Sequence, residues 1–411
     1  MSNNTKREAM ATNKNDKTLN VPHLRFPEFS GEWKETTLGK IAEITKGSGI
    51  SKDQLSEQGS PCILYGELYT KYKSEIINGV YSRTELDSSP LVKSKANDVI
   101  IPCSGETAID ISTARCVLFN NILLGGDLNI IRLKYDDGGF FAYQLNGARK
   151  KDIARVAQGV SVVHLYGENL KQIRVYYPNI DEQRKITHLL SLIDARIATQ
   201  NKIIEDLKKL KSAISKQVFA QEPNGWSRLD TLFSKGKAGG TPTSTNKEYY
   251  NGEIPFLSIN DITKQGRYVR YTENHLSQSG LENSSAWVVP KYSLIMSMYA
   301  SVGLVTINEI PITTSQAMFA MQLKDKDLLD YLYYYLSYFK YRHIHKYLET
   351  GTQSNINADI VRGIMIPTYG HSRNMEIAST LQGIDVKIDN ELSVLKLFNR
   401  QKNYLLSQMF I

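Results

Sequence analysis

The sequence predicts a mixed α/β (α+β) chain in which two globular modules are separated by two long helices packed as an antiparallel coiled coil. The first observation is an internal repeat, because residues 191–219 align without gaps to residues 382–410. The second is that both segments carry apolar residues at coiled-coil spacing. The third is that short β-branched runs bounded by Gly, Pro and Asn, typical of strands, precede each segment. The expected order is globular, helix, globular, helix.

The two helical segments share identical residues at matching positions. The identical pairs are Ile193/Ile384, Asp194/Asp385, Ile197/Ile388, Lys211/Lys402, Gln217/Gln408 and Phe219/Phe410. Apolar seams run from Ile186 to Val218 and from Ile377 to Met409. Matching seams are most simply buried against each other, so we expect an antiparallel pair that places the modules at opposite ends. At 1.5 Å per residue such a helix is ~58 Å long. A spacer is expected, and a core helix pair without a spacing role is the alternative.

Inside the modules, short runs recur in the same order. We predict strands at residues 61–68, 98–101 and 130–134, and at their counterparts 255–262, 293–296 and 320–324. Helices are predicted at residues 140–146 and 328–347, the second with an aromatic stripe of Tyr331, Tyr334, Tyr335 and Tyr338. Pro223 and Gly225 end the first long helix. Trp226 follows them and is the sequence counterpart of Trp33.

Composition places the chain among globular proteins of two modules. It has 411 residues, a net charge of +8 and three cysteines without metal-ligand spacing. Free thiols in a reducing cytoplasm are therefore expected. The polar N-terminus lacks the apolar core of a signal peptide, and no apolar run is long enough to span a membrane. We expect a cytoplasmic protein, and its positive charge permits nucleic-acid binding.

The sequence contains no recognisable catalytic motif. It lacks the Gly-rich loop followed by Lys and Ser or Thr that an ATPase requires. It also lacks the Asp/Asn-Pro-Pro-aromatic tetrapeptide of amino-methyltransferases. The spacing of His343 and His345 diverges on a helix, which argues against a metal site. The acidic residues are scattered and are interpreted as turn or rim residues, namely Glu67, Asp98, Glu106 and Asp127. We expect a recognition protein with no catalytic, cofactor or metal residues.

Three motifs carry a resemblance to a known family. Residues 22–29 with Gly31, Glu32 and Trp33 are similar to the start of its members from Gram-positive bacteria. Residues 176–186 resemble the strand, proline and Glu-Gln sequence that leads into its first conserved helix. Residues 351–353 resemble the end of its recognition domain, with 159–161 as the first-half counterpart. Residues 370–374 depart from the pattern, because Glu-Gln is absent there. Residues 21–411 thus resemble the specificity subunit of type I restriction–modification enzymes.

The resemblance implies that each module is a target recognition domain reading one half of a bipartite DNA site. The helices would set the gap between the halves and dock two methyltransferase subunits, and motor-nuclease subunits would join. S-adenosylmethionine, ATP and magnesium would belong to those partners. The implied domains are a disordered tail (1–20), recognition domain 1 (21–180), spacer 1 (181–221), recognition domain 2 (222–370) and spacer 2 (371–411). The alternative is a bivalent protein-binding scaffold that does not bind DNA.

Base recognition requires side chains that reach base edges, such as Arg or Lys for guanine, Asn or Gln for adenine, and Ser or Thr for either. Loop positions beside the predicted strands are the candidates. In the first module they are Lys46, Ser48, Tyr65, Glu67, Ser104 and Ser161. In the second they are Thr241, Thr243, Ser258, Asn260, Tyr299, Ser301 and Gln353. Each is equally explained as a turn former or an exposed polar residue. Gly47, Gly240 and Gly351 are expected to serve loop geometry.

The first long helix also carries many positive charges on its predicted outer face. A solvated helix surface explains them, and so does a basic track beside DNA or a partner. Both interpretations stay open for Arg184, Lys185, Arg196, Lys202, Lys208, Lys209, Lys211 and Lys216.

Overall fold

The computed structural model describes residues 19–347 and 355–411 of the chain. Two compact units are present, unit 1 comprising residues 1–201 and 394–411, and unit 2 comprising residues 202–393. Each combines sheets with short helices and with parts of two long helices, which confirms the predicted mixed α/β class. Gly351, Thr352 and Gln353, and all but the last two residues of the predicted tail, lie outside the described residues.

Unit 1 contains thirteen of the strands in the described part of the chain. They are β1 (Lys34–Thr37), β2 (Ala42–Lys46), β3 (Leu55–Ser56), β4 (Ser60–Ile63), β5 (Ile76–Ile77), β6 (Ser82–Thr84), β7 (Asp98–Pro102), β8 (Ser104–Gly105), β9 (Arg115–Val117), β10 (Leu123–Leu124), β11 (Leu128–Leu133), β12 (Val163–His164) and β13 (Arg174–Tyr177). Its short helices are α1 (Leu38–Ile41), α2 (Glu67–Thr70), α3 (Ala108–Ile111), α4 (Gly138–Asn146), α5 (Lys150–Val156) and α6 (Gly167–Lys171). The long helix α7 (Ile180–Phe219) begins in unit 1 and ends in unit 2.

The main sheet of unit 1 has the order β2-β11-β7-β9-β5, with β11 antiparallel to both of its neighbours. A second sheet has the order β10-β4-β6-β3. Every residue of β7 is buried, and Val99, Ile100 and Ile101 follow one another in it without polar alternation. The aromatic core includes Trp33, Phe140 and Phe410, and the rings of Phe140 and Phe410 are 5.2 Å apart.

Unit 2 repeats this plan with different residues. Its strands are β14 (Gly225–Arg228), β15 (Phe233–Ala238), β16 (Tyr250–Leu257), β17 (Tyr268–Val269), β18 (Asn274–Leu276), β19 (Leu294–Ser297), β20 (Val305–Asn308), β21 (Thr313–Thr314), β22 (Met318–Leu323) and β23 (Met365–Thr368). Its helices are α8 (Leu229–Leu232), α9 (Ile259–Gln265), α10 (Gln278–Glu282), α11 (Leu329–Arg342), α12 (Ala358–Gly363) and the first part of α13 (His371–Gln408). The main sheet has the order β15-β22-β19-β20-β17, so β22 occupies the place that β11 has in unit 1.

Within each unit the two long helices lie antiparallel. In unit 1, Ile186 and Leu190 of α7 share the core with Met409, while Asp194 pairs with Lys402 further along. In unit 2, the C-terminal end of α7 (Ile214 to Phe219) shares the core with the N-terminal end of α13 (Ile377 to Leu381). The predicted seams are therefore buried where they contact a sheet domain, because the apolar stripe of an amphipathic helix faces the core.

The sequence predicted the two long helices, two of the shorter helices and the central strands of both main sheets. The strands at 98–101, 130–134, 293–296 and 320–324 correspond to β7, β11, β19 and β22, and the helix at 140–146 is α4. The strands predicted at 61–68 and 255–262 are wrong in their second halves, where α2 and α9 form. Ser258 caps α9 by accepting the N–H of Asp261, and this local cap ends the strand. The predicted helix at 328–347 ends as α11 at Arg342, followed by a 3-10 turn.

Candidate nucleic-acid interface

In unit 1 several strands end at one edge of the main sheet, and the loops beyond them form a rim. β2 ends at Lys46 and β7 at Pro102, both opposite the start of β11. β4 ends there too, beside β10. Backbone N–H groups then tie the loops together, Gly47 donating to Leu128, Ser48 to Leu124 and Cys103 to Asp127. We call residues 46–49, 65–67, 103–106, 125–127 and 158–166 loop edge 1.

Unit 2 has the same rim. β15 ends opposite the start of β22, as does β19, and β16 ends beside β21. The backbone hydrogen bonds repeat those of unit 1, Gly239 donating to Met318, Gly240 to Thr314 and Met298 to Ala317. We call residues 239–243, 258–261, 298–303 and 315–317 loop edge 2. The two units thus share one backbone frame at these edges while their side chains differ.

Glycine is required where two loop backbones approach each other at both edges. A Cβ on Gly47 would lie 2.0 Å from the carbonyl oxygen of Gly125, and one on Gly239 would lie 1.9 Å from that of Thr314. A Cβ on Gly240 would lie 2.6 Å from the backbone nitrogen of Ala286. No side chain can be accommodated at such distances. The expected geometric role of Gly47 and Gly240 is confirmed.

The structure brings the candidates of unit 1 to loop edge 1, with different degrees of exposure. Lys46 is exposed, and its Nζ lies 5.9 Å from the centre of the Tyr166 ring. Ser161 is also exposed, whereas Tyr65 and Ser104 are half-buried. Lys46, Tyr166 and Ser161 are therefore available to a ligand at this edge.

Two candidates of unit 1 have internal partners. The Ser48 hydroxyl accepts the Val92 N–H at 2.7 Å, which fixes the loop. Glu67 is buried, accepts the Leu64 N–H at 3.0 Å and pairs with Lys71 at 2.6 Å. Its carboxylate therefore stabilises the turn after β4, and base contact by Glu67 stays an untested prediction.

The candidates of unit 2 lie on loop edge 2. Thr241 is exposed and its hydroxyl donates to the side chain of Gln316 at 2.5 Å. Thr243 is exposed as well, and the exposed Asn260 donates to Glu273 at 3.0 Å. The half-buried Ser258 is occupied as the cap of α9. Gln353 lies outside the described residues.

The hairpin between β19 and β20 has a strained backbone. Ala300 and Ser301 both have positive φ, 40° and 52°, which residues with a side chain rarely adopt. Ser297 holds this conformation, because its hydroxyl donates to the Ser301 carbonyl at 2.8 Å and accepts the Leu304 N–H at 3.0 Å. Strain of this kind costs roughly 1–3 kcal/mol per residue and is typical of binding segments. It presents the exposed Tyr299 in a fixed loop.

The acidic residues of unit 1 have separate surroundings. Asp98 is buried in a two-pronged pair with Arg132, at 2.8 and 2.7 Å. Glu106 and Asp127 are exposed on loop edge 1. Over residues 19–347 and 355–411 there is no group of three or more His, Cys, Asp or Glu side chains placed to hold a metal ion.

A polar cluster joins the long helices of unit 1 to its sheet domain. Asp194 accepts the Tyr143 hydroxyl at 2.7 Å and pairs with Lys402 at 2.6 Å. Lys402 also pairs with Glu75 at 2.6 Å, and Ser74 donates to Asp194 at 2.8 Å. Burial, reinforced by the charge of Asp194, raises the pKa of Tyr143 well above its usual value. The phenol therefore remains a hydrogen-bond donor.

Unit 2 repeats this cluster at the matching positions. Asp385 accepts the Tyr334 hydroxyl at 2.8 Å and pairs with Lys211 at 2.5 Å. Unit 2 has Arg267 where unit 1 has Ser74 and Glu75 as further members of the cluster. Arg267 donates to the Tyr334 hydroxyl at 2.6 Å and pairs with Asp330. The identities of Asp194/Asp385 and Lys211/Lys402 are thereby explained, because these residues fasten each helix pair to its own sheet domain.

The positive residues of α7 do not share one role. Lys211 is held by Asp385, Lys185 pairs with Glu28 over the Phe26 ring, and Lys209 pairs with Glu205. The others are exposed side chains on the helix surface, namely Arg184, Arg196, Lys202, Lys208 and Lys216. The residues of this second group are available to a polyanion in the conformation described.

The start of each long helix is anchored differently. Glu182 is buried, forms a two-pronged pair with Arg25 at 2.7 Å and accepts the Trp33 indole N–H at 3.3 Å. The matching residue in unit 2 is Arg373, and Trp226 there is 55% exposed, whereas Trp33 is 2% exposed. Asn374 substitutes for Gln183 by accepting the Tyr369 N–H at 3.0 Å. The departure seen in residues 370–374 thus changes the helix start locally.

Sequence reasoning missed several residues of the two edges and clusters. Gln316 and Tyr166 lie on the rims but outside the predicted loop positions, and Arg267 has no counterpart in the alignment of the helices. Tyr143 and Tyr334 carry a usable signal, because each lies in a predicted helix at the same distance before the Asp that the two long helices share.

The chain matches the family described as "Type I restriction modification DNA specificity domain" over residues 30–209 and 223–395. These two matches cover most of the 411 residues. The chain therefore belongs to this family, and the family's domain is present twice.

Among curated relatives, the chain is similar to the type I restriction enzyme MjaIX specificity subunit of Methanocaldococcus jannaschii, with 27% identity over 158 residues. That match covers 37% of this chain and 36% of the relative. It is also 32% identical to the HindI specificity subunit of Haemophilus influenzae over 113 residues, 27% of this chain and 24% of the relative. The chain thus spans about a third and a quarter, respectively, of these relatives' lengths.

The fold is similar to that of a solved S subunit of a type I restriction–modification system from M. genitalium. The TM-score is 0.61 at 16% identity, and the match covers 95% of this chain and 99% of that one. A second structure, from a study of complex assembly and conformational transition of a type I system, matches with a TM-score of 0.59 at 16% identity over 92% and 97% of the two chains. These likenesses concern the fold.

Proposed function

We propose that this chain is the DNA-specificity subunit of a type I restriction–modification complex, in which each unit reads one half of a bipartite DNA site. The observation that carries the proposal is the pair of loop edges, which share backbone hydrogen bonds and close glycine contacts but carry different side chains. Lys46-Gly47-Ser48 of unit 1 corresponds to Ala238-Gly239-Gly240 of unit 2. A common frame with separate side chains is what two readers of different sequences require.

The chemistry of the edges supports DNA as the ligand. Loop edge 1 presents Lys46, which can donate to guanine or to phosphate, and Ser161, which can donate or accept. Loop edge 2 presents Thr241, Asn260 and Tyr299. The buried carboxylates Glu67 and Asp98 are neutralised by Lys71 and Arg132, so they add little repulsion towards a polyanion.

The long helices would set the gap between half-sites and dock two methyltransferase subunits, which motor-nuclease subunits then join. The chain itself would be non-catalytic, with S-adenosylmethionine, ATP and magnesium bound by the partners in the cytoplasm. Among the described residues, none of the helices combines the length and apolar character that a membrane span requires. Support for docking comes from large apolar side chains exposed on α7 and α13, including Leu192, Leu210, Val386, Leu392, Leu397 and Tyr404.

A domain exchange tests the proposal. Residues 30–175 are replaced by the corresponding module of another family member, and the host genome is mapped by single-molecule methylation sequencing. We expect a bipartite adenine motif that disappears when the chain is deleted and changes in one half only after the exchange. A change in the other half, or an unchanged motif, would refute the assignment of one unit to one half-site.

A helix-length variant tests the spacing role separately. Inserting one heptad into α7 and its matched position in α13 should change the gap and preserve both half-site sequences. An altered half-site with an unchanged gap would contradict this role. Salt titration separates DNA binding from the scaffold alternative, since DNA affinity falls steeply with salt when phosphate contacts are made.

A further inference from the structure

Unit 2 contains a cavity at the junction of α7, α11 and α13 that the proposed function does not use. Its volume is about 340 Å³, at the lower end of the range of small-molecule sites, which is about 300–1,000 Å³. All of its lining residues belong to unit 2. Three tyrosines, Tyr334, Tyr338 and Tyr341, form one wall.

The lining of this cavity is positively charged. Lys208, Lys211 and Arg342 face it together with a single carboxylate, Asp385. Asp385 is already paired with Lys211 at 2.5 Å. Lys208 and Arg342 are both exposed, and neither forms an ion pair with another of the described residues. Two cations beside an aromatic wall therefore remain for a ligand.

The matching region of unit 1 is built differently. Leu406 occupies the position that Ser215 has in unit 2, and it packs against the unit 1 core. Gly147 occupies the position of the cavity residue Tyr338, and its Cβ position is 3.9 Å from Leu406. The shared helix frame does not by itself produce the aromatic lining. That lining is a property of unit 2.

We propose that this cavity binds a nucleoside phosphate, with the base against Tyr338 and Tyr341 and the phosphate near Lys208 and Arg342. Planar bases stack on aromatic side chains, and Arg and Lys bind phosphate through charge-assisted hydrogen bonds. Ser212, Ser215 and Ser337 also line the cavity, and the Ser215 hydroxyl, which donates to the Lys211 carbonyl, can still accept a hydrogen bond. The source is either a free mononucleotide or a nucleotide of bound DNA.

Calorimetric titration of the full chain with AMP and with adenosine tests the ligand class. We expect AMP to bind, and adenosine to bind at least about tenfold more weakly, because loss of one charge-assisted hydrogen bond corresponds to roughly that factor. Ser215→Leu, which introduces the residue found at the matching position of unit 1, should abolish AMP binding. Lys208→Ala should weaken it about tenfold, whereas Lys216→Ala, outside the lining, should leave it unchanged.

The same variants are titrated with a duplex that carries the methylated motif. If Ser215→Leu abolishes AMP binding but preserves DNA affinity, the source is a free nucleotide. If it weakens both, the source is bound DNA. AMP that does not bind at millimolar concentration, binding that survives Ser215→Leu, or adenosine that binds as tightly as AMP overturns the proposal. Motif-specific DNA binding persists in that case, so the two proposals fail independently.

Discussion

Replacing Lys402 by Met should loosen unit 1 far more than the matching change, Lys211→Met, loosens unit 2. The Lys402 side chain is 12% exposed and faces Asp194 and Glu75, which are 7% and 10% exposed. Met keeps the aliphatic volume but leaves two buried carboxylates without their cation. Breaking a buried pair costs about 3–5 kcal/mol, and we expect a loss in this range.

The Lys211 pair lies closer to water, with side chains that are 28% and 22% exposed. Solvent therefore screens the remaining Asp385, and a loss of about 1–2 kcal/mol is expected, between the values for exposed and buried pairs. Lys209→Met provides the control, because its pair with Glu205 is on the surface. Such an exposed helix pair is screened by water and contributes little to stability.

Hydrogen exchange read by mass spectrometry measures these losses locally, since it reports opening free energies for separate segments. Peptides from residues 186–199 and 395–408 report on unit 1, and peptides from residues 207–219 report on unit 2. The order of effects should be Lys402→Met, then Lys211→Met, then Lys209→Met. The reasoning from the buried cluster is refuted if residues 186–199 are as well protected from hydrogen exchange in the Lys402→Met variant as in the Lys209→Met variant.

Three further outcomes are expected. Gly47→Ala and Gly239→Ala should each lower the urea midpoint by an amount equivalent to about 1–3 kcal/mol, because the new Cβ would overlap a backbone oxygen. Gly49→Ala is the control, because no atom lies within 4 Å of its Cβ position. Equal effects at all three positions would contradict the steric explanation. Burial raises the pKa of Cys62 and of Cys103 to about 11, so at pH 8 iodoacetamide should label neither thiol in the native chain but both after unfolding. Burial also raises the pKa of Tyr143 above the unfolded value of 10.0, so the contribution of Tyr143 to stability is complete below pH 10 and declines above it. The Tyr143→Phe variant should therefore lose less stability between pH 8 and pH 11 than the unchanged chain. An equal loss in both proteins would show that Tyr143 is not the source of this pH dependence.

Local patterns were sufficient to predict the regular elements wherever pattern and tertiary contacts agree. β7, β11, β19 and β22 are apolar runs of strand length, and they form the centres of the two main sheets. The predictions of strands at 61–68 and 255–262 are wrong at their C-terminal ends. There the carboxylates of Glu67 and Asp261 stabilise turns by accepting hydrogen bonds from nearby backbone N–H groups. Such side-chain bonds compete with strand pairing, and an apolar pattern does not reveal them.

The candidate residues of the loop edges show the same difference between what local patterns predict and what tertiary contacts decide. Position beside a strand end selected Lys46, Thr241 and Tyr299 as candidates, and the structure places each of them on the loop edge of its own unit. Position could not separate Lys46, which is exposed, from Glu67, which is buried among internal partners. The difference depends on Lys71 and Ser82, which both donate hydrogen bonds to the Glu67 carboxylate, and Ser82 is 15 residues away in the chain.

The sequence by itself determined that the chain is a duplication, that each half combines a strand-rich module with a long helix, and that the helices are amphipathic. These properties follow from periodicity and from local breakers, which act over a few residues. Only the tertiary structure decided what the shared Asp and Lys do, which candidates are exposed, and that unit 2 has a tyrosine-lined cavity at Lys208 and Arg342. Those outcomes depend on contacts between residues far apart in the chain, such as Lys402 with Glu75, and no local pattern encodes such a contact.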